Sequence, residues 1–268
     1  MTLRSLCMIA GLILVASPAT AQSYDMRTPA PRSTDAAAIR SDAVDREVEE
    51  RFRRGLAAEA RNDWNSARTE FERIISIDSR EPHHSTALYD LAIAQYHLNE
   101  LDDAANSLRE ALGADPNFLA AIANLIAIDV ARRDDDAARK LADRFVTLAP
   151  DSARALYMRG IVALRQHDYT TAANDFGVLL KNNPAYAVAH YNLGIAQASV
   201  GQYVNAEREF DAALASAPSF ARARFALATV YLKEGARDRA RVALDDVIAH
   251  PGDDPTLKNL AQALRATL

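Results

Sequence analysis

The residues of this 268-residue chain that could do chemistry are few. His83-His84 offers two imidazoles which, with a nearby carboxylate, would suit a transition metal such as zinc. Adjacent histidines between helical stretches are ordinarily just solvated, so no metal is expected there. Asp134-Asp135-Asp136 stacks three carboxylates in a row, whereas a calcium loop needs oxygens spaced along the chain. Just before a helical stretch, capping and the helix dipole account for acidic residues. The only cysteine, Cys7, lies near the N-terminus, and the chain holds no Gly-rich phosphate loop, no H-E-x-x-H and no G-x-S-x-G. The expectation is therefore no enzyme activity, no cofactor and no metal.

What the sequence does hold is a period. Pro116, Pro150, Pro184 and Pro218 stand at one constant interval, and Ala104, Ala138, Ala172, Ala206 and Ala240 keep the same spacing. A fixed period of about 34 residues means one supersecondary unit repeated, here two antiparallel helices with their turns. Each proline follows a second helix and biases the residue before it to extended geometry, which ends that helix.

One unit carries Leu156, Gly160, Ala163, Tyr169, Ala172, Phe176, Leu179 and Pro184. The next carries Tyr191, Leu193, Gly194, Tyr203, Ala206, Phe210, Ala213 and Pro218. This pattern resembles the tetratricopeptide repeat (TPR) family. The resemblance implies an all-α, right-handed superhelical solenoid of six helix-turn-helix units with a C-terminal capping helix. The array is placed at residues 41–252, with repeats near 48–81, 85–118, 119–152, 153–186, 187–220 and 221–252. Gly160 and Gly194 are read as letting the first helix (A) approach the second (B), with Ala172 and Ala206 doing the same from B. Phe176 and Phe210 are read as filling the space between neighbouring repeats. Gly55, Trp64, Ala67 and Phe71 fit the pattern in the first repeat, and an insertion, Glu81-Pro82-His83-His84, precedes the second. The third repeat inverts two sizes, with Ile126 where a small residue is usual and Ala142 where a large one is. His190 occupies an A-helix position that faces the interior in the family, so it is read as a packed histidine.

The flanks look built to cover the ends. Asp254 can cap a helix with Pro255 at its first position, and Leu257, Leu260, Ala261 and Leu264 form one apolar stripe within residues 253–268. From Ser41 to Ala60 a long helix is expected with Val44, Val48, Phe52 and Leu56 on its inner side. Before it, a basic start, the apolar run Leu6 to Ala16 and Ala19-Thr20-Ala21 read as a signal peptide, residues 1–21, cleaved before Gln22. Residues 22–40 read as a flexible linker. The apolar run is about half of the roughly 20 residues a membrane span needs, so no span is expected after cleavage. A secreted chain with no cysteine after cleavage points to the periplasm.

Hydrophobic residues at 49% and charged residues at 25% suit a folded product, and a formal net charge of -5 offers no general attraction to nucleic acid. The resemblance implies a binding groove lined by the second, fifth, ninth, twelfth and thirteenth positions of each A helix. The fifth positions are Phe52, Tyr89, Ala123, Tyr157, Tyr191 and Phe225, a nearly continuous aromatic ladder. The ninth positions are Leu56, Ile93, Ala127, Ile161, Ile195 and Thr229, mostly apolar. Family members that clamp a terminal carboxylate carry Asn at the ninth position, and its absence argues against a chaperone-tail clamp. Arg154, Arg165, Arg222 and Lys233 fall at second and thirteenth positions and would edge the groove with positive charge. The expected partner is a protein segment, a peptide or amphipathic helix, with acidic flanks. The expected role is a scaffold or adaptor in assembly or maintenance of the cell envelope. A glycan- or peptidoglycan-associated module and a self-associating structural protein are the alternatives, and no feature supports homo-oligomerisation.

Overall fold

The protein is described by a computed structural model covering residues 36–80, 82–252 and 254–268. The expected signal peptide, Cys7 and most of the expected linker lie outside these residues. The described chain is helical throughout, with no strand among the described residues, and forms two compact units that divide at Asp134 and Asp135.

The first unit contains α1 (Ala36–Glu59), α2 (Trp64–Ile77), α3 (His83–His97), α4 (Leu101–Ala114) and α5 (Leu119–Ala131). The second contains α6 (Asp135–Leu148), α7 (Ala153–Arg165), α8 (Tyr169–Asn182), α9 (Ala187–Ser199), α10 (Tyr203–Ser216), α11 (Ala221–Lys233), α12 (Arg237–Ala249) and α13 (Pro255–Arg265). Within each unit every helix packs on the next, and α1 with α3, α7 with α9 and α9 with α11 also meet. Odd-numbered helices up to α11 are thus the A helices. No described helix is long and apolar enough to cross a membrane.

The six A-to-B turns share one backbone design. Asn62, Asn99, Arg133, His167, Gly201 and Gly235 all have positive φ. In each turn the following amide reaches back five residues, as Asp168 N does to Ala163 O at 2.9 Å and Gln202 N to Gln197 O at 2.9 Å. This is the Schellman closure, which satisfies the orphan carbonyls of a helix end and turns the chain into the next helix. The sequence period is therefore also a period in backbone conformation.

What brings A and B together is a size match between one A position and one B position of the same repeat. A β-carbon on Gly55 would stand 2.6 Å from the Phe71 ring, one on Gly160 2.7 Å from Phe176, and one on Gly194 2.6 Å from Phe210. The glycine thus makes room for the phenylalanine of its own repeat, rather than for a neighbouring backbone as the sequence suggests. The second and sixth repeats use Ala92 with Leu108 and Ala228 with Leu244, all buried. In the third repeat Ile126 and Ala142 invert the sizes, and each is buried within its own unit.

Two boundaries differ from the sequence reading. The first helix begins at Ala36, so residues 36–40 are helical rather than linker, and His83 and His84 open α3 instead of lying in a loop. At the C-terminus, Asp254 accepts hydrogen bonds from Thr256 N and Leu257 N, and Pro255 stands at the first helical position. Leu257 and Ala261 of α13 pack with Phe225, Leu244 and Val247, closing the end of the second unit.

The size match gives a direct test. Gly194→Ala should lose about 1–3 kcal/mol by overpacking against the fully buried Phe210, less roughly 0.5–1 kcal/mol returned by helix propensity. Combined with Phe210→Leu, which recreates the Ala and Leu pair of the second and sixth repeats, the loss should be smaller than the sum of the single losses. Urea titration of the four proteins measures the coupling, and additive losses would refute the match.

Candidate functional site

The A helices present the same positions at every repeat, so the candidate groove is built by comparing them within each unit. In the second unit the fifth-position aromatics are largely packed inward. Tyr191 and Phe225 are only 4% and 5% exposed, and the Tyr191 ring lies 5.0 Å from Phe220 and 5.9 Å from Phe210. Tyr157 is half-buried, stacked on Tyr186 at 5.8 Å and set edge-on to Phe176 at 6.0 Å. Burial pushes its phenol up to about 12, so it stays protonated and hydrogen-bonded to Asn192. The ninth-position Ile161 and Ile195 are also buried. The expected ladder and apolar floor in this unit are mostly core: Tyr157 and Tyr191 pack against Tyr186 and Phe220, each just before the next A helix, and Phe225 packs with Leu257 and Ala261 of α13.

The rim positions remain outside. Arg154 and Lys233 are exposed, and so is Val188, which stands one full repeat after Arg154 at the second position of the fifth repeat. Arg165 and Arg222 are engaged within the protein. Arg165 Nε donates to Asp135 Oδ1 at 2.6 Å, and Arg222 Nη2 stands 3.5 Å from Asp254 Oδ2. The basic edge read from the sequence is thus partly neutralised. His190 bridges Glu209 at 2.6 Å and the Pro184 carbonyl at 3.0 Å, tying α9 to α10, which accounts for it structurally.

In the first unit more of the A-helix face is open. Tyr89 and Ile93 are half-buried, with the Tyr89 ring 4.9 Å from Phe118 and its Oη accepting from Asn124 Nδ2 at 3.2 Å. Leu56, expected on the inner side, is 49% exposed. Val48 and Phe52 of the same helix join the core with Phe71 and Ile74.

Two polar groups missed by sequence reasoning stand out here. Glu59, the last residue of α1, has an Oε1 buried without a hydrogen-bond partner among the described residues, and burial raises its carboxyl to about 7. Asp90 of α3 is raised well above the carboxylate range, by burial first and then by the charge of Glu59. The available signal was positional, since the twelfth and sixth A-helix positions otherwise hold no pair of acids.

The cluster of Asp45, Asp78 and His83 brings three potential metal ligands within 4.8 Å of one another. Arg80 lies in the midst of it, with Nε donating to Asp78 Oδ1 at 2.8 Å and Nη2 pairing with Asp45. Burial works to raise the Asp78 carboxyl, but hydrogen bonds from Arg80 and His83 outweigh it and hold the group well below its ordinary range. Arg80 supplies the positive charge a metal would bring, so the cluster acts as a tie among α1, the α2–α3 connection and α3.

The description tetratricopeptide repeat belongs to both family models that match the chain, one over residues 52–117, 128–187 and 157–207 and the other over 198–264. Among solved structures, a tetratricopeptide repeat protein from Parabacteroides merdae is 19% identical, with 81% of this chain and 84% of that one covered at a TM-score of 0.72. Pseudomonas aeruginosa PilF is 19% identical over 82% of this chain and 99% of its own, with a TM-score of 0.65. YrrB, described as a TPR protein with an unusual peptide-binding site, is 20% identical over 72% of this chain and 97% of its own, with a TM-score of 0.59. At these identities the likeness establishes an all-α TPR solenoid. No curated protein matches the sequence.

The raised carboxyl of Glu59 predicts a pH dependence. A native state that holds the proton to higher pH than the unfolded chain loses stability as pH climbs from the ordinary carboxylate range through about 7, and levels off above. Glu59→Gln should flatten that slope and stabilise the protein at pH 8 by on the order of 1 kcal/mol, a figure already reduced for solvent screening. Chemical denaturation at pH 5 and pH 8 reads both effects, and a variant less stable than wild type at pH 8 would contradict the assignment.

Proposed function

This chain belongs to the tetratricopeptide repeat family, and from that premise we propose that it is a periplasmic scaffold or adaptor whose A helices hold a segment of a partner protein during assembly or maintenance of the cell envelope. The TPR fold supports a role in protein–protein interaction in general. The observation that carries the finer reading is the second position of the A helices, where Arg154 and Val188, one repeat apart, are both exposed. A row of evenly spaced, outward side chains fits an extended peptide or one face of a helix, which presents its own groups at regular intervals. The peptide-binding site of YrrB supports the reading that this fold accommodates such a ligand.

The partner's acidic flanks would meet the exposed Lys233, since Arg165 and Arg222 are occupied by Asp135 and Asp254. Sugar stacking is less well served, because Tyr157 is stacked on Tyr186 and Tyr191 is buried against Phe220 and Phe210. The compartment rests on the signal-like character of residues 1–21.

The test is crosslinking and affinity capture of the mature chain, from Gln22 onward, in envelope extract beside a Val188→Asp, Lys233→Glu variant. Both substitutions fall at exposed positions and should leave melting unchanged, whereas alanine at Tyr191 would disturb the core. Capture of the partner should fall about tenfold, which corresponds to about 1.4 kcal/mol. Undiminished capture would remove the A-helix face as the site, and recovery of the protein in the cytoplasm with residues 1–21 attached would remove the compartment.

A further inference from the structure

The fourth position of the A helices is apolar in the second, third and fourth repeats, as Leu88, Ile122 and Leu156, and basic in the others. Where it is basic, it is tied to a B helix. Arg51 Nη1 donates to Glu70 Oε2 at 3.0 Å in the first repeat, and Arg224 Nε stands 2.7 Å from Asp246 Oδ2 in the sixth. In the fifth repeat the position is His190, whose Nδ1 meets Glu209 Oε2 at 2.6 Å. Glu70 and Glu209 hold the same B-helix position, each just before the phenylalanine that packs over glycine.

The second contact of His190 is matched as well. Its Nε2 lies 3.0 Å from the carbonyl oxygen of Pro184, and Arg224 Nη2 donates to the carbonyl of Pro218, the proline one repeat later. Arginine serves two acceptors with N–H groups it never loses. A neutral imidazole carries one N–H, so it cannot donate to a carboxylate and a carbonyl together. Both contacts are made only when the pair of His190 and Glu209 holds an additional proton. A histidine thus stands where the sixth repeat uses a permanent cation, and histidine is the side chain whose charge ordinarily changes between about pH 5 and 8.

The connection held by these two bonds carries part of the A-helix edge. Pro184 and Tyr186 lie between α8 and α9. Tyr186 is 38% exposed and stacks on Tyr157 of α7, and Val188, 37% exposed, follows in the first turn of α9. Among the described residues, Glu209 of α10 is the charged group in hydrogen-bond contact with the imidazole. On the other helices packed against α9, Asp175 of α8 is bound by Arg159 of α7 at 2.6 Å, Arg224 of α11 by Asp246, and Lys181 in the last turn of α8 is exposed.

We propose that His190 is a proton-dependent clamp, which as an imidazolium fastens the α8–α9 connection to α9 and α10 and, on losing its proton, lets the edge formed by Tyr186 and Val188 loosen. This rests on the reading that the A-helix face holds a protein segment, and it gives that face a control by pH.

The test is amide hydrogen exchange at Tyr186 and Ala189, whose N–H groups are bonded within the connection, in the full mature chain and its His190→Arg and His190→Gln variants. Comparing proteins at one pH, first pH 5 and then pH 8, cancels the pH dependence of exchange itself. Wild type should match His190→Arg at pH 5 and exchange roughly three- to tenfold faster than it at pH 8, the factor that one lost hydrogen bond supplies. His190→Gln should be fast at both, so the ratio of wild type to this variant gives the same reading if arginine is not accommodated. Ratios that stay the same at the two pH values would overturn the clamp. No partner is present in this measurement, so that result would leave segment binding standing, whereas undiminished capture by the Val188→Asp, Lys233→Glu variant would remove segment binding and leave the clamp.

Discussion

Close approach of the two helices of a repeat, with Phe71, Phe176 and Phe210 of B seated over Gly55, Gly160 and Gly194 of A, is the constraint on which the remaining structure depends. Protein interiors are packed too densely to absorb an extra methyl group under a buried ring, so this contact fixes how near A and B come. Gly160 beneath Phe176 and Gly194 beneath Phe210 set that distance, and the Schellman turns at His167 and Gly201 deliver the chain into it. With the pair fixed, the remaining A-helix positions are distributed between the core and the surface. Fifth and ninth positions in the second unit fall inward, and second and thirteenth positions stay outward.

Polar groups are arranged on the same period. Ion pairs recur between neighbouring repeats, including Arg68 with Glu100 at 2.8 Å, Arg132 with Asp102 at 3.0 Å, Arg139 with Asp168 at 3.1 Å and Arg165 with Asp135 at 2.6 Å. Each partly exposed pair contributes up to about 1 kcal/mol, so they align repeats more than they hold them. Buried asparagines are satisfied by tyrosines from the repeat before. Against this regular background the sixth position of the second repeat holds Asp90, and the fifth position of the repeat before it holds Phe52, which has no hydroxyl.

The contrast bears on function. A binding surface in a repeat protein is found where side chains depart from what stacking needs, since positions that serve the core recur in kind. The tyrosines look functional in the sequence because aromatic residues at regular spacing suit recognition, yet their rings are used to cover the neighbouring A helix. Glu59 looks ordinary in a chain with 36 acidic residues, and only the burial of its Oε1 without a hydrogen-bond partner among the described residues distinguishes it.

The sequence by itself determined the repeat, its phase and the helix pairs, because prolines and alanines at one constant interval report local geometry that any single repeat must satisfy. It also determined the capped terminal helix, since Asp254 and Pro255 act within one turn. The start of α1 at Ala36 and the helical setting of His83 were less legible, because helix ends depend on what the first turn can pack against. Which side of Tyr191 faces water, whether Arg165 is available, and that Asp90 lacks a counter-charge among the described residues were decided by tertiary structure alone. The first two depend on side chains one repeat away, Phe220 and Asp135, and only packing brings the two ends of such a pair together.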